Sequence, residues 1–231
     1  DINNGYDFIQ KDIRVENGII KEIGENLKKD ENEEVLDIKG NIITAGFIDI
    51  HTHVYHGETA IGIDPDKVGV ELGVTSVIDA GTSGADTFED FYNRIIKNSK
   101  TKVFAFLNIA SLGLKTLNEL NDMSNIDFEK IKKIVEKYKG TIVGIKARAS
   151  ASVVGENGIA PIKKAKEIAK ELGIPIMVHI GNAPPKVEEV LNLLEKGDIV
   201  THCYHNKENN LVKDIGMLEE ALEAKKRGVL F

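Results

Sequence analysis

Ile48-Asp49-Ile50-His51-Thr52-His53 is the stretch around which the fold of this chain is organised. It closes an apolar run over residues 42–50 and has the pattern of a β-strand that ends in polar residues. Side chains two residues apart on a strand point to the same side, so His51 and His53 would present two imidazoles to one point. Two such imidazoles can bind a metal ion, whereas a lone His-x-His pair is also typical of a polar strand end.

From residue 41 onward, apolar runs of strand length alternate with stretches of helical pattern. After the first strand, further strand-like runs lie at residues 76–79, 103–108, 142–146, 176–179 and 199–202. The helical stretches between and after them are residues 87–98, 127–138, 161–172, 185–194 and 218–226. This alternation predicts βαβ units and a parallel sheet.

The spacing of these strands suits a (β/α)8 TIM barrel, whose complete form needs ~250 residues. The 231 residues hold six such strands and the start of a seventh, so we predict an α/β fold with a barrel truncated after about six strands. Residues 45–231 are assigned to this barrel domain, which is incomplete at its carboxyl end. An open, doubly wound sheet is the alternative, but no Gly-x-Gly-x-x-Gly follows the first strand.

Residues 1–44 are predicted to form a small β-rich part that precedes the barrel. Residues 11–16 alternate polar and apolar side chains, as a half-buried strand does. Asn17-Gly18 is the favoured dipeptide of a tight hairpin turn, and residues 19–24 return as the partner strand. Residues 35–38 are predicted to add a third strand to this antiparallel unit.

The composition describes an ordinary water-soluble globular protein, with 42% hydrophobic and 29% charged residues. A net charge of -7 argues against nucleic acid or an anionic membrane as the main partner. No apolar run is long enough to span a bilayer, and the single cysteine, Cys203, excludes an intrachain disulfide. We therefore predict a cytoplasmic protein that acts on a small molecule, and the sequence leaves open whether it forms a homo-oligomer.

The polar residues at the predicted strand ends are the strongest indication of function. In a barrel, the carboxyl ends of all strands open at one mouth, where catalytic residues lie. The residues at these ends are His51 and His53, Asp79, Asn108, Lys146, His179 and His202. They include four of the six histidines of the chain, which a random distribution would rarely produce. The pattern therefore favours a metal site over a merely polar strand end.

Lys146 closes the apolar strand over residues 142–146, so its amine is expected in the partly dry mouth of the barrel. Burial disfavours the ammonium and lowers the pKa of a lysine. A neutral amine can react with carbon dioxide to give a carbamate, whose two oxygens can bridge two metal ions. The alternative is a lysine that forms an ion pair with a neighbouring carboxylate.

Phe47-Ile48-Asp49-Ile50-His51-Thr52-His53, followed by Lys146, His179 and His202 on later strand ends, resembles the amidohydrolase superfamily of metal-dependent hydrolases. Residues 75–84 and 145–150 resemble its amidohydrolase/deacetylase branch, which is dihydroorotase-like. The resemblance covers nearly the whole chain. Its set of one His-x-His pair, one lysine and two further histidines is specific for the superfamily.

The resemblance implies a centre of two divalent metal ions, with zinc as the expected metal. His51 and His53 would bind the more buried ion, and His179 and His202 the more exposed one. Lys146, carboxylated by carbon dioxide, would bridge the two. The superfamily also uses an aspartate at the end of strand eight as metal ligand and general base, and this residue is expected beyond Phe231.

One departure from the family bears on the substrate. Dihydroorotases place an arginine two residues after the second histidine to hold the substrate carboxylate, and here that position is Tyr55. Arg148 shares the strand face of Lys146 and is the candidate to bind such a carboxylate, with a structural ion pair as its alternative role. Asn108 is the candidate to donate to a substrate carbonyl.

These observations favour a hydrolase that cleaves the amide or ester bond of a small acylated acid, as a deacetylase does. A cyclic-amide hydrolase, either dihydroorotase-like or hydantoinase-like, is the first alternative. A non-catalytic scaffold with the amidohydrolase fold is the second. Such scaffolds typically lose ligands, whereas this chain keeps every ligand that its length permits.

Overall fold

The computed structural model describes residues 9–213 and 216–231. These residues divide into two compact units, one up to Phe47 and one over residues 48–231. The predicted domain boundary between residues 44 and 45 stays a prediction, and the first eight residues of the predicted β-rich part lie outside the described residues. Within the described residues, no helix has both the length and the apolar character to cross a membrane.

The first unit contains an antiparallel hairpin of β1 (Asp12–Glu16) and β2 (Ile19–Gly24). Asn17 and Gly18 join the strands with φ angles of 51° and 76°, and two positive φ angles are what a tight hairpin turn requires. This unit confirms the predicted antiparallel hairpin. Residues 35–38, however, do not form the predicted third strand, because Val35 and Leu36 lie exposed and no described strand pairs with this segment.

The second unit is built on a six-stranded parallel sheet in which every strand neighbours the next one along the chain. The strands are β3 (Phe47–Thr52), β4 (Val74–Ala80), β5 (Lys102–Asn108), β6 (Ile142–Ala149), β7 (Ile176–Ile180) and β8 (Ile199–Thr201). A doubly wound sheet would reverse its strand order, whereas a barrel keeps the order of the chain. The sheet curls as part of a (β/α) barrel, which confirms the predicted fold class. A two-stranded antiparallel ribbon, β9 (Val212–Lys213) and β10 (Gly216–Met217), follows the sheet.

Helices connect the parallel strands, as the alternating sequence pattern predicts. They are α1 (Pro65–Val68), α2 (Phe88–Arg94), α3 (Phe128–Lys137), α4 (Ala151–Val154), α5 (Ala160–Leu172), α6 (Val187–Leu193) and α7 (Glu219–Arg227). Short 3₁₀ turns lie at Val70–Leu72, Ile96–Asn98, Gly113–Lys115, Met123–Asn125 and Gly155–Asn157. The predicted helix over residues 87–98 is therefore divided into α2 and a 3₁₀ turn.

Two helices show how the sequence pattern becomes packing. Helix α3 begins after Asp127, whose carboxylate accepts a hydrogen bond from the backbone N–H of Lys130, and it buries Ile131 and Val135. Helix α5 packs against β6 and β7 and ends at Gly173, which has the left-handed φ of 67° that suits glycine. Each buried aliphatic side chain contributes roughly 1.5–3 kcal/mol, so these faces hold the helices to the sheet.

A buried carboxylate, Asp198, joins α5 to the start of the last strands. It lies just before β8, and its oxygens accept hydrogen bonds from the Lys166 ammonium and from the backbone N–H groups of Ile176 and Glu195. A buried charge with this many donors stabilises a fold, and it becomes costly when one partner is lost. Asp198 therefore has a structural role at the end of the sheet opposite the predicted mouth.

We predict that Asp198→Asn lowers the free energy of unfolding by roughly 2–4 kcal/mol, because it leaves the Lys166 ammonium without its buried partner. Denaturant unfolding followed by circular dichroism would measure this change. Lys170→Ala is the matched control, since Lys170 pairs with Glu195 at the surface, and its effect is expected below ~0.5 kcal/mol. Equal effects of the two substitutions would contradict the role given to Asp198.

Candidate metal centre

Four histidines meet at the carboxyl end of the sheet. His51 lies in β3, His179 in β7, and His53 and His202 directly follow β3 and β8. The imidazole centroids of His51 and His53 are 5.4 Å apart, and those of His51 and His202 are 4.6 Å apart. The His179 and His202 centroids are also separated by 4.6 Å. The structure thus brings all four predicted histidines into one continuous cluster.

Two threonines, Thr201 at the end of β8 and Thr82 just after β4, orient two of these rings. Nδ1 of His51 is hydrogen-bonded to Oγ1 of Thr201 at 2.7 Å, and Nδ1 of His53 to Oγ1 of Thr82 at 2.8 Å. When Nδ1 donates in such a bond, Nε2 carries the lone pair that a metal needs. In that tautomer, Nε2 of both rings is the nitrogen that would bind a metal ion.

The cluster holds its histidines neutral. Burial, together with the nearby Lys146 and His202 charges, lowers the pKa of His51 and of His179 to about 2. Burial together with Lys146 lowers the pKa of His53 to about 4, and burial also lowers that of His202. Metal ligation requires neutral imidazole, so the side chains fit a bound metal ion.

His202 has a backbone conformation that is uncommon for its residue type. Its φ angle of 66° lies in the left-handed region, where a residue with a Cβ costs roughly 1–2 kcal/mol. Residues held in such conformations concentrate at functional sites, since the surrounding structure must compensate for the strain. The end of β8 is therefore shaped so that the His202 ring faces those of His51 and His179.

Lys146 lies in β6 beside this cluster and is 1% exposed. Its ammonium nitrogen contacts Sδ of Met177 at 3.4 Å, and no carboxylate of the described residues forms an ion pair with it. Burial lowers the pKa of Lys146 to about 7, although the Asp79 charge opposes this shift. The ion-pair alternative is thus not what the structure shows, and the amine has the chemistry that carboxylation needs.

Gly81 makes the space that Lys146 occupies. It has a φ angle of 80°, and a Cβ atom placed on it would lie 2.5 Å from Cβ and from Cγ of Lys146. A contact that short is excluded between carbon atoms, and the φ angle independently favours glycine. No residue with a side chain can replace Gly81 without moving the lysine.

Asp79 links the loops that follow β3 and β4. Its carboxylate is fully buried, and its two oxygens accept hydrogen bonds from the backbone N–H groups of Val54 (2.8 Å) and Thr82 (2.7 Å). Burial raises the pKa of Asp79 to about 6, and these hydrogen bonds oppose the shift. Asp79 therefore positions Thr82, which in turn binds His53, a connection that strand-end spacing alone did not indicate.

The two predicted substrate-binding residues lie on the same part of the sheet. Asn108 is paired with Lys146 in the register of β5 and β6, and Arg148 with His179 in that of β6 and β7. Asn108 is buried, its Nδ2 donates to the carbonyl of Gly81 at 2.9 Å, and its Oδ1 accepts from the N–H of Ala110 at 2.9 Å. Its amide thus braces the loop, and its role toward substrate stays a prediction.

Arg148 has an acidic partner that the sequence did not reveal. Its Nη1 lies 3.4 Å from Oε2 of Glu119, which belongs to the loop between β5 and α3. Burial raises the pKa of Glu119, and the Arg148 charge opposes this shift. An acid in a long loop follows no strand or helix period, so only the folded structure places it beside Arg148.

Tyr55 does not line the mouth as an arginine at this position would. It is 1% exposed, its hydroxyl donates to Oδ2 of Asp90 at 2.6 Å, and its ring packs 4.8 Å from that of Phe91. Both partners belong to α2, so Tyr55 is part of the core between the β3 loop and this helix.

Within residues 9–213 and 216–231, no three His, Cys, Asp or Glu side chains already stand in a metal-binding arrangement. The predicted ligand set, in which each ion takes two histidines and the modified Lys146, stays a prediction. Lysine provides the third ligand only as a carbamate, so three ligands of the ordinary types are not expected around either ion.

We predict that Gly81→Ala displaces Lys146 and lowers the free energy of unfolding by several kcal/mol, because strain and overlap add. Gly73→Ala is the matched control, since Gly73 has the same φ of 80° with nothing within 4 Å of a Cβ, and strain alone costs ~1–2 kcal/mol. Denaturant unfolding would compare the two variants. A cost for Gly81→Ala no larger than that for Gly73→Ala would show that Lys146 does not depend on this space.

Comparison with known proteins places this site in a family. The Amidohydrolase family matches residues 42–231. A deacetylase of Enterococcus faecalis is 38% identical over 98% of this chain and 64% of its own length, and one of Brucella anthropi is 42% identical over 85% and 50%. This chain thus spans about half to two thirds of these relatives.

Solved structures of two proteins also resemble this chain. A crystal structure of an adenine deaminase superposes with a TM-score of 0.91 at 38% identity, covering 96% of this chain and 61% of that one. A crystal structure of a dihydroorotase gives a TM-score of 0.85 at 36% identity, covering 95% and 60%. From these matches in sequence and in structure, the chain belongs to the amidohydrolase family.

Proposed function

We propose that this protein is a metal-dependent hydrolase that removes the acyl group from a small acylated acid by cleaving an amide or ester bond. The observation that carries the proposal is the convergence of four neutral histidines and a buried, unpaired Lys146 at the carboxyl ends of the parallel strands. The deacetylases of Enterococcus faecalis and Brucella anthropi support an acyl group as the one removed.

The residues present fit two divalent ions, with zinc as the expected metal. His51 and His53 would hold one ion and His179 and His202 the other, each through the neutral form that burial favours. Bound divalent ions supply Lewis acidity, which lowers the pKa of water and polarises a carbonyl group. Thr201 and Thr82 fix the orientation of two of the rings.

Lys146 would join the two halves of the site as a carbamate. Its neutral nitrogen forms a bond to the carbon of carbon dioxide, and a proton leaves the nitrogen, so the product carries one negative charge. Burial favours the neutral amine that this step requires. The anion would also offset the repulsion between two dications at short range.

Tyr55 favours the deacetylase-like reaction over a true dihydroorotase reaction. A dihydroorotase-type arginine at this position would hold a substrate carboxylate, whereas Tyr55 is buried against α2. A hydantoinase-like cyclic-amide hydrolase stays the alternative, and the clustering of four histidines near Lys146 disfavours a non-catalytic scaffold. A small-molecule substrate and a cytoplasmic location complete the proposal.

We predict that the full-length protein binds close to two equivalents of divalent metal and that Lys146→Ala abolishes loading of the pair, because the bridging group is lost. Elemental analysis after gel filtration would measure both values. Lys102→Ala, at the opposite end of β5, is the control and should keep two equivalents. Less than one equivalent in the unmodified protein, or two in Lys146→Ala, would contradict the proposed centre.

The acyl specificity is tested by a substrate panel with the metal-loaded, full-length protein. We expect hydrolysis of N-acetyl amino acids or acyl esters of small acids, with kcat/KM at least tenfold above that for dihydroorotate, hydantoins or adenine. Such a ratio corresponds to about 1.4 kcal/mol of transition-state discrimination. A preference for the cyclic amides would replace the proposed reaction with its alternative.

A further inference from the structure

Glu119 is a buried acid with an unused oxygen. The residue is 2% exposed, its Oε2 contacts Nη1 of Arg148 at 3.4 Å, and its Oε1 has no partner in hydrogen-bond geometry among the described residues, although the Asn108 side chain lies near enough to lower the pKa of this carboxyl. A buried carboxylate oxygen without a donor is costly, and structural ion pairs are usually short and fully hydrogen-bonded. A purely structural pairing therefore leaves the geometry of Glu119 unexplained.

Arg148 is placed to meet a ligand at the metal centre. It lies two residues after Lys146 on β6, so both side chains leave the same face of the sheet, and it neighbours His179 in the register with β7. Its side chain is 18% exposed, whereas that of Glu119 is 2% exposed, so Arg148 is the more accessible member of the pair. Guanidinium has five N–H donors, and the contact with Glu119 engages only one of its nitrogens among the described residues.

The segment that carries Glu119 is held by its backbone. Nδ2 of Asn125 donates to the carbonyl of Glu119 at 3.1 Å. Nδ2 of Asn157, from the loop after α4, donates to the carbonyls of Leu120 and Asn121, each at 2.9 Å. These bonds anchor the loop independently of Arg148, so the carboxylate can serve as a fixed point for the guanidinium.

We propose that Arg148 and Glu119 form the subsite for the acid group of the substrate. Arg148 binds the carboxylate through the donors that Glu119 leaves free, and Glu119 is a positioning residue that holds the guanidinium in place. This inference rests on the proposed function, and it narrows the substrate class to acylated acids with a free carboxylate. It also gives the carboxylate a binding group at the β6 strand end, where Tyr55 of the β3 loop provides none.

Binding of N-acetylglycine and of its neutral counterpart N-acetylglycinamide to the metal-loaded, full-length protein tests the subsite by calorimetry. We expect the wild type to prefer the anion, and Arg148→Gln to weaken anion binding about ten- to hundredfold, the loss of one or more charge-assisted hydrogen bonds. The amide should be affected less than twofold. A wild type without preference for the anion would overturn the proposal even if hydrolysis is observed.

Two substitutions of Glu119 and a double-mutant cycle with Arg148 test its positioning role. Glu119→Asp keeps the charge but shortens the side chain, so it should weaken anion binding about tenfold, whereas Glu119→Gln keeps an acceptor at the same distance and should change it less than threefold. In a double-mutant cycle, Glu119→Asp should have little further effect once Arg148 is Gln. Additive losses, or equal losses for the neutral amide, would show that Glu119 does not act through Arg148.

Two kinds of control distinguish a failure of the proposed subsite from a loss of the metal centre or of the fold. Glu89→Gln removes an exposed carboxylate paired with Lys137 and should leave the binding of both probes unchanged. Metal content and thermal unfolding of each variant report whether a loss comes from the centre or from the fold. A wild type that binds no metal or hydrolyses no acyl compound contradicts the proposed function, whereas normal loading with unchanged anion binding in Arg148→Gln contradicts only the subsite.

Discussion

The site depends on the burial of one amine, Lys146, which forms no ion pair with a carboxylate within the described part of the chain. A lysine removed from water gains stability when it is paired or neutral, and here Lys146 contacts a methionine sulfur and lies beside four imidazoles. The Lys146 ammonium and protonated imidazoles would be positive charges close together. The Lys146 charge therefore lowers the pKa of all four imidazoles. The arrangement therefore favours a neutral cluster, which is the state in which the histidines can bind a metal ion and the Lys146 amine can react with carbon dioxide.

Backbone geometry maintains this arrangement at two points. Gly81 leaves room for the lysine at the end of β4, and His202 adopts a left-handed conformation at the end of β8. Asp79 then connects the two neighbouring loops through backbone hydrogen bonds and holds Thr82 against His53. A rigid set of strand ends with few freely rotating ligands loses little entropy when ions bind, which favours affinity.

Much of this could be predicted from the sequence, because strands and barrels impose simple rules. Period-two alternation and the common mouth of parallel strands were enough to gather Lys146 and the histidines. The hydrogen-bond partners Thr82, Thr201 and Glu119 were not predicted, since they depend on loop conformations and contacts far apart in the chain. The predicted strand over residues 35–38 was wrong because a short apolar stretch does not by itself supply a pairing partner.

Tyr55 and Arg148 illustrate how one fold can change its substrate specificity while its predicted metal ligands stay in place. The loop after β3 uses Tyr55, hydrogen-bonded to Asp90, to pack against α2, so this position contributes to stability. A charged group on β6 has a different advantage: a strand holds its side chains more rigidly than a loop does, and Lys146 on the same face fixes its distance from the centre. Because Glu119 contacts only Nη1 of Arg148 among the described residues, a ligand carboxylate can bind the remaining N–H donors without displacing Glu119. The Arg148 charge that would select the substrate thus lies on the sheet that carries the predicted metal ligands. The loop that contains Glu119 serves to hold the guanidinium in place.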